Sequence, residues 1–273
     1  MTVPHEMTYV DVRTDGRVAV VTMSRPDRLN ALGPQLTGEL IDTFHALHRE
    51  REIGAIVIEG AGAGFCAGAD LRADGGPAPD AERRGPVGTV YRSQEQLADM
   101  ILAIHECDKP VVAAVHGAAV GGGLAIALAC DLRVATPTTR FGAAFIKVGL
   151  SACDVGVSYF LPRILGATRA AEIMLTGRHF TGEEADRWGM LNALVDEGTE
   201  TDTALALAAQ VAENTEYGVW MTKRGLWANI DAPSIRHAIE LENRTQVLGT
   251  FTGNMAEAMV AFQQKRPPNW SPM

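Results

Sequence analysis

Between Val111 and Cys130 the chain runs for twenty residues without an Asp, Glu, Lys or Arg, and Gly121, Gly122 and Gly123 stand in the middle of that run. The stretch is about as long as a membrane span. A single helix through it would carry three consecutive glycines, each costing about 1 kcal/mol in a helix interior. The flanks instead read separately, Val111 to Val115 as a buried strand and the residues after the glycines as a buried helix. Two uncharged elements joined by a glycine turn must both be covered by other elements, so the fold needs a large core. With 273 residues, 47% hydrophobic and 21% charged, the chain can bury about three quarters of its unfolded surface. One large domain, alone or with a small appendage, fits.

The surrounding elements alternate. Tyr9 to Val12 and Arg17 to Met23 read as a hairpin about Thr14-Asp15-Gly16. Leu36 to His48 places Leu36, Leu40, Ile41, Phe44 and Leu47 at helical spacing, and Ala55 to Ile58 is a short buried strand ended by the glycine-rich run Gly60 to Gly64. Glu95 to His105 predicts a helix, and Leu132 to Ala135 a strand. Thr181 with Glu184 predicts a capping box for a helix ending at Gly189, with Leu191 to Val195 as the next apolar stretch. From about residue 200 the reading is helical: Ala204 to Glu213, Ile235 to Leu248, and Met255 to Lys265, the last capped by Asn254 with Glu257 and stopped by Pro267-Pro268. Strands and helices thus alternate without long linkers, and the tail looks like a helical appendage. Ala73 to Gly88, rich in Gly and Pro, reads as a long loop of the kind that usually carries function.

Thirty-three acidic residues against 24 basic ones give a net charge of -9, which repels a polyphosphate backbone and argues against a nucleic-acid partner. The N-terminal MTVPHEMTYVDVRTDG has acidic residues and no apolar run, unlike a signal or transit peptide. No membrane association is expected, and the cytoplasm is the default compartment. Cys66, Cys107, Cys130 and Cys153 form no CxxC pair and have no histidine at ligand spacing, so they read as reduced core thiols and no metal is expected. Met174, Trp188 and Met190 sit at helical spacing and read as core.

Gly62-x-Gly64-x-x-Ala67 after a strand imitates a dinucleotide fingerprint, but no βαβ crossover follows promptly and a glycine turn explains the residues. GxSxG, HExxH and phosphate-loop patterns are absent. Two other segments are more specific: FCAGADL (Phe65 to Leu71) and HGAAVGGGLAIALACD (His116 to Asp131). Each reads as a strand followed by small residues, which leave backbone N–H groups exposed. Two such groups converging on one carbonyl oxygen make an oxyanion hole, in which a donor contributes roughly 3 kcal/mol in the transition state. A helix beginning at Gly122 would add its positive N-terminal end.

With these segments, RPDRLNAL (Arg25 to Leu32), DLRVAT with FGAAFIKVGL, LTGRHFTGEEADRWGMLNALV and the tail AFQQKRPPNW make the sequence resemble the crotonase superfamily, also called the enoyl-CoA hydratase/isomerase family, along nearly the whole chain. The resemblance implies an α/β fold, a spiral of repeated ββα units over residues 1–200, with a C-terminal helical region, residues 201–273, that packs against neighbouring subunits in a homotrimer or hexamer. It implies an acyl-CoA thioester as substrate, with CoA entering as part of it and no separate cofactor. It puts the oxyanion donors on the backbone N–H groups of Ala69 and Gly122. The stretch Arg28 to Ala31, Leu29 included, with Ala67, Asp70 and Leu71, would line the CoA adenine and pantetheine, and Lys265 would approach the nucleotide phosphates.

The family's hydratases use two glutamates to position a water and pass its protons. Here those positions hold Ala125 and Phe145, which cannot transfer protons. Asp154, in GLSACDVGVSYFLPRILG, falls on the segment that supplies an acid or base in several relatives, dienoyl-CoA isomerases among them; in 4-chlorobenzoyl-CoA dehalogenase an aspartate there is the nucleophile. Cys153, Val155 and Phe145 predict an apolar setting for it, while a helix N-cap aspartate is the structural alternative. His116 reads as satisfying a turn, and Asp74 and Asp80 lie in the long loop. One carboxylate suffices for a 1,3-proton shift, so isomerisation is expected ahead of hydration. A CoA-binding protein that has lost catalysis remains open, as does nucleophilic dehalogenation, for which Phe145 replaces a positioning tryptophan.

Overall fold

The computed structural model describes residues 7–72 and 85–272. Val10–Asp15 (β1) and Val18–Met23 (β2) form the expected antiparallel hairpin. Helix α1 (Pro34–Arg49) follows, then β3 (Ala55–Gly60), α2 (Gly85–His105) and β4 (Val111–Val115). The uncharged stretch continues as a short strand β5 (Ala118–Val120) and helix α3 (Gly122–Ala129), and then come β6 (Leu132–Ala135) and β7 (Arg140–Gly142). Helices α4 (Val157–Leu165) and α5 (Ala167–Thr176) lead to β8 (His179–Thr181), α6 (Gly182–Arg187) and β9 (Ala193–Leu194). Four helices close the chain: α7 (Glu200–Ala212), α8 (Glu216–Ile230), α9 (Ile235–Gly249) and α10 (Asn254–Gln264).

The larger sheet has the order β1-β2-β3-β4-β6-β9, parallel except for the first pair. A smaller sheet, β5-β7-β8, takes one short strand from each later turn of the chain. Cys66 extends it by a parallel bridge to Ala119. The path therefore runs strand, short strand, helix and returns to the large sheet, the repeat expected from the resemblance. The long strands read as continuous apolar runs because both faces are covered. Val18, Val20, Ala55, Val57, Val112, Ala114 and Val134 lie under α7 through Ala204, Ala208 and Ala212. Ala19, Val21, Ile56, Ile58, Ala113 and Val115 face the main core with α1, α2 and α3.

All eight residues of α3 are buried. A guanidinium closes its C-terminal end: Arg133 donates to Ala127 O at 3.3 Å and Cys130 O at 2.7 Å, and to Met190 O at 2.9 Å. Carbonyls at a helix C-terminus favour a cation, which explains a buried arginine here without a carboxylate. Among the described residues no helix is long and apolar enough to cross a membrane.

Several expectations need correction. Helix α2 begins at Gly85, ten residues before Glu95, so the loop read from Ala73 to Gly88 gives its last four residues to that helix. Its Thr89 hydroxyl bonds the Gly85 carbonyl, stabilising a turn that lacks apolar periodicity. Asn254 and Glu257 do not form a capping box. Gly253 caps α10, the Asn254 side chain bonds both backbone groups of Ser271, and Glu257 pairs with Arg266. Cys153 is exposed while Cys66, Cys107 and Cys130 are buried. The capping box at Thr181 and Glu184 is present as read, and Met190 is buried, with Met174 and Trp188 packed against the core.

Two glycine substitutions separate packing from propensity. A Cβ on Gly123 would meet the Cys66 carbonyl oxygen at 2.0 Å, whereas one on Gly225, inside α8, would meet nothing within 4 Å. Gly123→Ala is expected to lose about 1–3 kcal/mol. Gly225→Ala should gain about 0.5–1 kcal/mol. Thermal unfolding of the two variants beside the wild type reads both signs.

Candidate active site

The site starts from a buried amide. Asn30 is fully buried and left-handed, at φ 54°. Its Oδ1 accepts from the Arg25 N–H at 2.8 Å, and its Nδ2 faces the carbonyls of Ala61 at 2.9 Å, Gly64 at 2.8 Å and Phe65 at 3.1 Å. One side chain thus ties the turn after β2 to the turn after β3. Arg25 reinforces the tie, donating to Ala31 O at 3.0 Å and pairing with Asp70 at 2.8 Å.

Backbone bonds then close the two segments on each other. Ala67 N–H donates to Leu29 O at 2.9 Å, Leu32 N–H to Gly68 O at 2.7 Å, and Asp70 N–H to Leu32 O at 2.9 Å. Leu32 bonds on either side of Ala69, so the Ala69 N–H is turned away from it. Cys66 joins the second segment to β5, accepting from Val120 N–H at 3.0 Å and donating to Ala118 O at 2.8 Å. Gly68, at φ 91°, permits this approach: a Cβ there would lie 2.6 Å from the Val120 carbonyl oxygen and 3.4 Å from the Gly122 nitrogen. The turn holding Ala69 therefore adjoins the first residue of α3. Among the described residues neither the Ala69 N–H nor the Gly122 N–H donates a hydrogen bond, whereas the Gly121 N–H is taken by Gly142 O at 2.8 Å.

The remaining candidates divide. Arg28, Leu29, Ala31, Ala67, Asp70 and Leu71 all lie on the two joined segments, with Leu71 and Leu29 exposed and Ala31 buried. The Asp70 carboxylate is committed to Arg25, and the Arg72 N–H with that guanidinium holds it below the usual carboxylate range. Lys265 is exposed at the end of α10, its N–H donating to Phe262 O. Among the described residues no hydrogen bond or ion pair joins Lys265 to the two segments. His116 is spent on a turn, 3.0 Å from Gly62 O and 3.5 Å from Glu200. Asp74 and Asp80 lie outside the described residues.

Ala125 is fully buried in α3, and the Phe145 ring stands beside Gly121, 3.7 Å from where its Cβ would be. Asp154 is half-buried. Its setting is more polar than expected, because Cys153 is exposed and the Gln94 amide of α2 donates to Asp154 Oδ1. The helix-cap alternative does not hold, since α4 is capped by Gly156 with no side-chain bond. The Val155 N–H, two residues before α4, takes the same Oδ1 at 2.9 Å. Burial pushes the thiols of Cys66 and Cys130 up to about 12, which leaves them unreactive. Asn30, read only within the stretch Arg28 to Ala31, and Arg25 and Gln94 carry no role of their own in the sequence reading. The first two stand inside the quoted RPDRLNAL motif, while nothing marks Gln94.

The family model described as "Enoyl-CoA hydratase/isomerase" matches residues 13–272. The chain belongs to the enoyl-CoA hydratase/isomerase family. It is 38% identical over 251 residues to a protein named probable enoyl-CoA hydratase echA12 of Mycobacterium leprae, covering 92% of this chain and 85% of that one. It is 31% identical to the 1,2-epoxyphenylacetyl-CoA isomerase of Escherichia coli K12, over 97% of this chain and 99% of the relative. The crystal structure of a probable enoyl-CoA hydratase/isomerase from Mycobacterium abscessus superposes with a TM-score of 0.90 at 37% identity, covering 96% and 98% of the two chains. The protein is thus an enzyme of the enoyl-CoA hydratase/isomerase type with an α/β fold.

Two substitutions test how this family member builds its site. Asn30→Asp keeps the size but turns a carboxylate toward three carbonyls, and should cost at least about 2 kcal/mol in a urea titration. Asp70 is depressed by its partners, so its contribution is present above the unfolded carboxylate value near pH ~4 and is lost as pH falls through the folded one. Asp70→Asn should therefore flatten the acid limb of stability against pH.

Proposed function

We propose that this enzyme moves the double bond of an enoyl-CoA, holding the thioester oxygen on the Ala69 and Gly122 N–H groups while Asp154 carries the proton. The observation that carries this reading is the pair of unspent backbone donors on adjoining turns, one at the N-terminus of an uncharged helix. Donors placed in advance stabilise negative charge as it develops on the thioester oxygen.

The steps balance without a co-reactant. Asp154 takes a proton from the α-carbon of a 3-enoyl thioester, the C–H electron pair moves into the α-carbon to carbonyl-carbon bond, and the carbonyl π pair goes to oxygen. The enolate oxygen then returns that pair to the carbonyl, the π pair between the α-carbon and the carbonyl carbon moves between the α- and β-carbons, and the pair of the old β,γ double bond takes the Asp154 proton at the γ-carbon. No redox or metal step is needed, and CoA arrives with the substrate. Water addition, to which the hydratase relatives' names point, would require Asp154 to work with another group or water, since the Ala125 and Phe145 side chains cannot transfer protons.

The segments carrying Arg28, Leu29, Ala31, Ala67, Asp70 and Leu71 are proposed to receive the CoA moiety, with Lys265 supplying charge for its phosphates. Residues 201–273 are proposed as the trimerisation region. The exposed apolar side chains of Leu248, Phe251, Met255, Met259 and Phe262 suit burial against a second copy. Four unpaired thiols suit a reducing cytoplasm.

The conjugated enoyl-thioester absorbance distinguishes the chemistries. A 3-enoyl-CoA should give a rise, reduced at least about a hundredfold in Asp154→Asn. A fall with a 2-enoyl-CoA would instead establish hydration, and silence in both with acyl-CoA still bound would point to another acyl-CoA reaction or a retired site. Light scattering should give a mass three or six times that of the chain, and a monomer would remove the proposed role of the C-terminal helices.

A further inference from the structure

We infer that Gln94 is a positioning residue for Asp154, dividing its two carboxylate oxygens between structure and chemistry; this rests on the reading of Asp154 as the proton carrier. The Gln94 amide, on α2, donates to Asp154 Oδ1 across sixty residues of sequence. The Val155 N–H donates to the same oxygen at 2.9 Å. Oδ1 is therefore doubly occupied, and among the described residues Oδ2 accepts no hydrogen bond.

The backbone beside the carboxylate shows the arrangement to be imposed. Val155 has φ 37° and Gly156 follows at φ 82°. A β-branched residue in the left-handed region costs about 1–3 kcal/mol and persists only where its surroundings over-determine it. Here the turn brings the Val155 N–H back onto the preceding side chain. That turn fixes Oδ1 from one side, and Gln94 fixes it from a different element. With χ rotation of the carboxylate stopped by both, Oδ2 holds one direction while a proton is taken from one carbon and returned to another, which is the geometric demand of a 1,3-shift. A neutral amide suits this task better than a cation, since it orients the carboxylate without cancelling its charge.

Three variants test the division. Gln94→Met keeps the length and loses the donor, and kcat for the 3-enoyl-CoA should fall about tenfold or more with KM within about twofold. Gln94→His, whose Nε2–H reaches about as far as the glutamine amide, should return kcat to within about threefold of wild type. Asp154→Asn, measured beside them, separates the two levels. If it turns over normally, the reading of Asp154 fails and the positioning role goes with it. If Asp154→Asn is inactive while Gln94→Met keeps wild-type kcat, or loses KM in place of kcat, or is not rescued by histidine, the role of Gln94 alone is overturned.

Discussion

The site depends on one close approach of main chain to main chain. The turn Ala67 to Asp70 reaches the start of α3 only because Gly68 and Gly123 have no side chains. A Cβ at either would fall within 2.6 Å of a carbonyl oxygen. Backbone that packs this tightly normally pairs its own polar groups. Here the N–H groups of Cys66, Ala67 and Asp70 and the carbonyl of Gly68 are paired through the neighbouring segments, while among the described residues the N–H groups of Ala69 and Gly122 donate no hydrogen bond. The backbone bonds around them hold those two donors fixed in direction. Fixed direction is what makes an electrostatic site effective, because no reorganisation is required as charge appears.

Charge near those donors is managed as closely as shape. Asp70 stands next to Ala69, and an uncompensated carboxylate there would repel an anion forming on a bound carbonyl. Arg25, at 2.8 Å with both side chains largely buried, neutralises it. Arg133 does the corresponding work at the other end of α3, where it satisfies the last carbonyls. The helix between them contains no charged residue, so its N-terminal end presents backbone polarity alone.

What could be read from sequence follows from what sequence encodes. Val111 to Val115 and the glycine-started helix were legible because an uncharged run broken by three glycines has few solutions, and Thr181 with Glu184 because a capping box is local. Asn254 failed for the reverse reason. Its partner Ser271 lies seventeen residues away, where no local pattern points. Helix α2 was cut short because Gly85, Gly88 and exposed Val87 and Val90 give its first turns no apolar face. At the site, the small residues of AGAD and GGG were legible as backbone exposers. The structural role of Asn30 is not legible, because a buried asparagine with four backbone partners resembles any loop asparagine until those partners are brought to it.

The resemblance sets Ala125 and Phe145 where the family's hydratases carry glutamates, and on the proposed reading that difference changes more than it removes. Carboxylates at both places would hold water between them; a methyl group inside a fully buried helix and a phenyl ring beside Gly121 offer water no hydrogen bonds. On the proposed reading the oriented N–H donors still stabilise an enolate without those carboxylates. The enolate then has no activated water to meet, so on the proposed reading its outlet is reprotonation. Both halves of a double-bond shift need only a base that returns what it took. The fold would thus keep the costly part of the chemistry, charge stabilisation by backbone, while the side chains around it select which reaction follows.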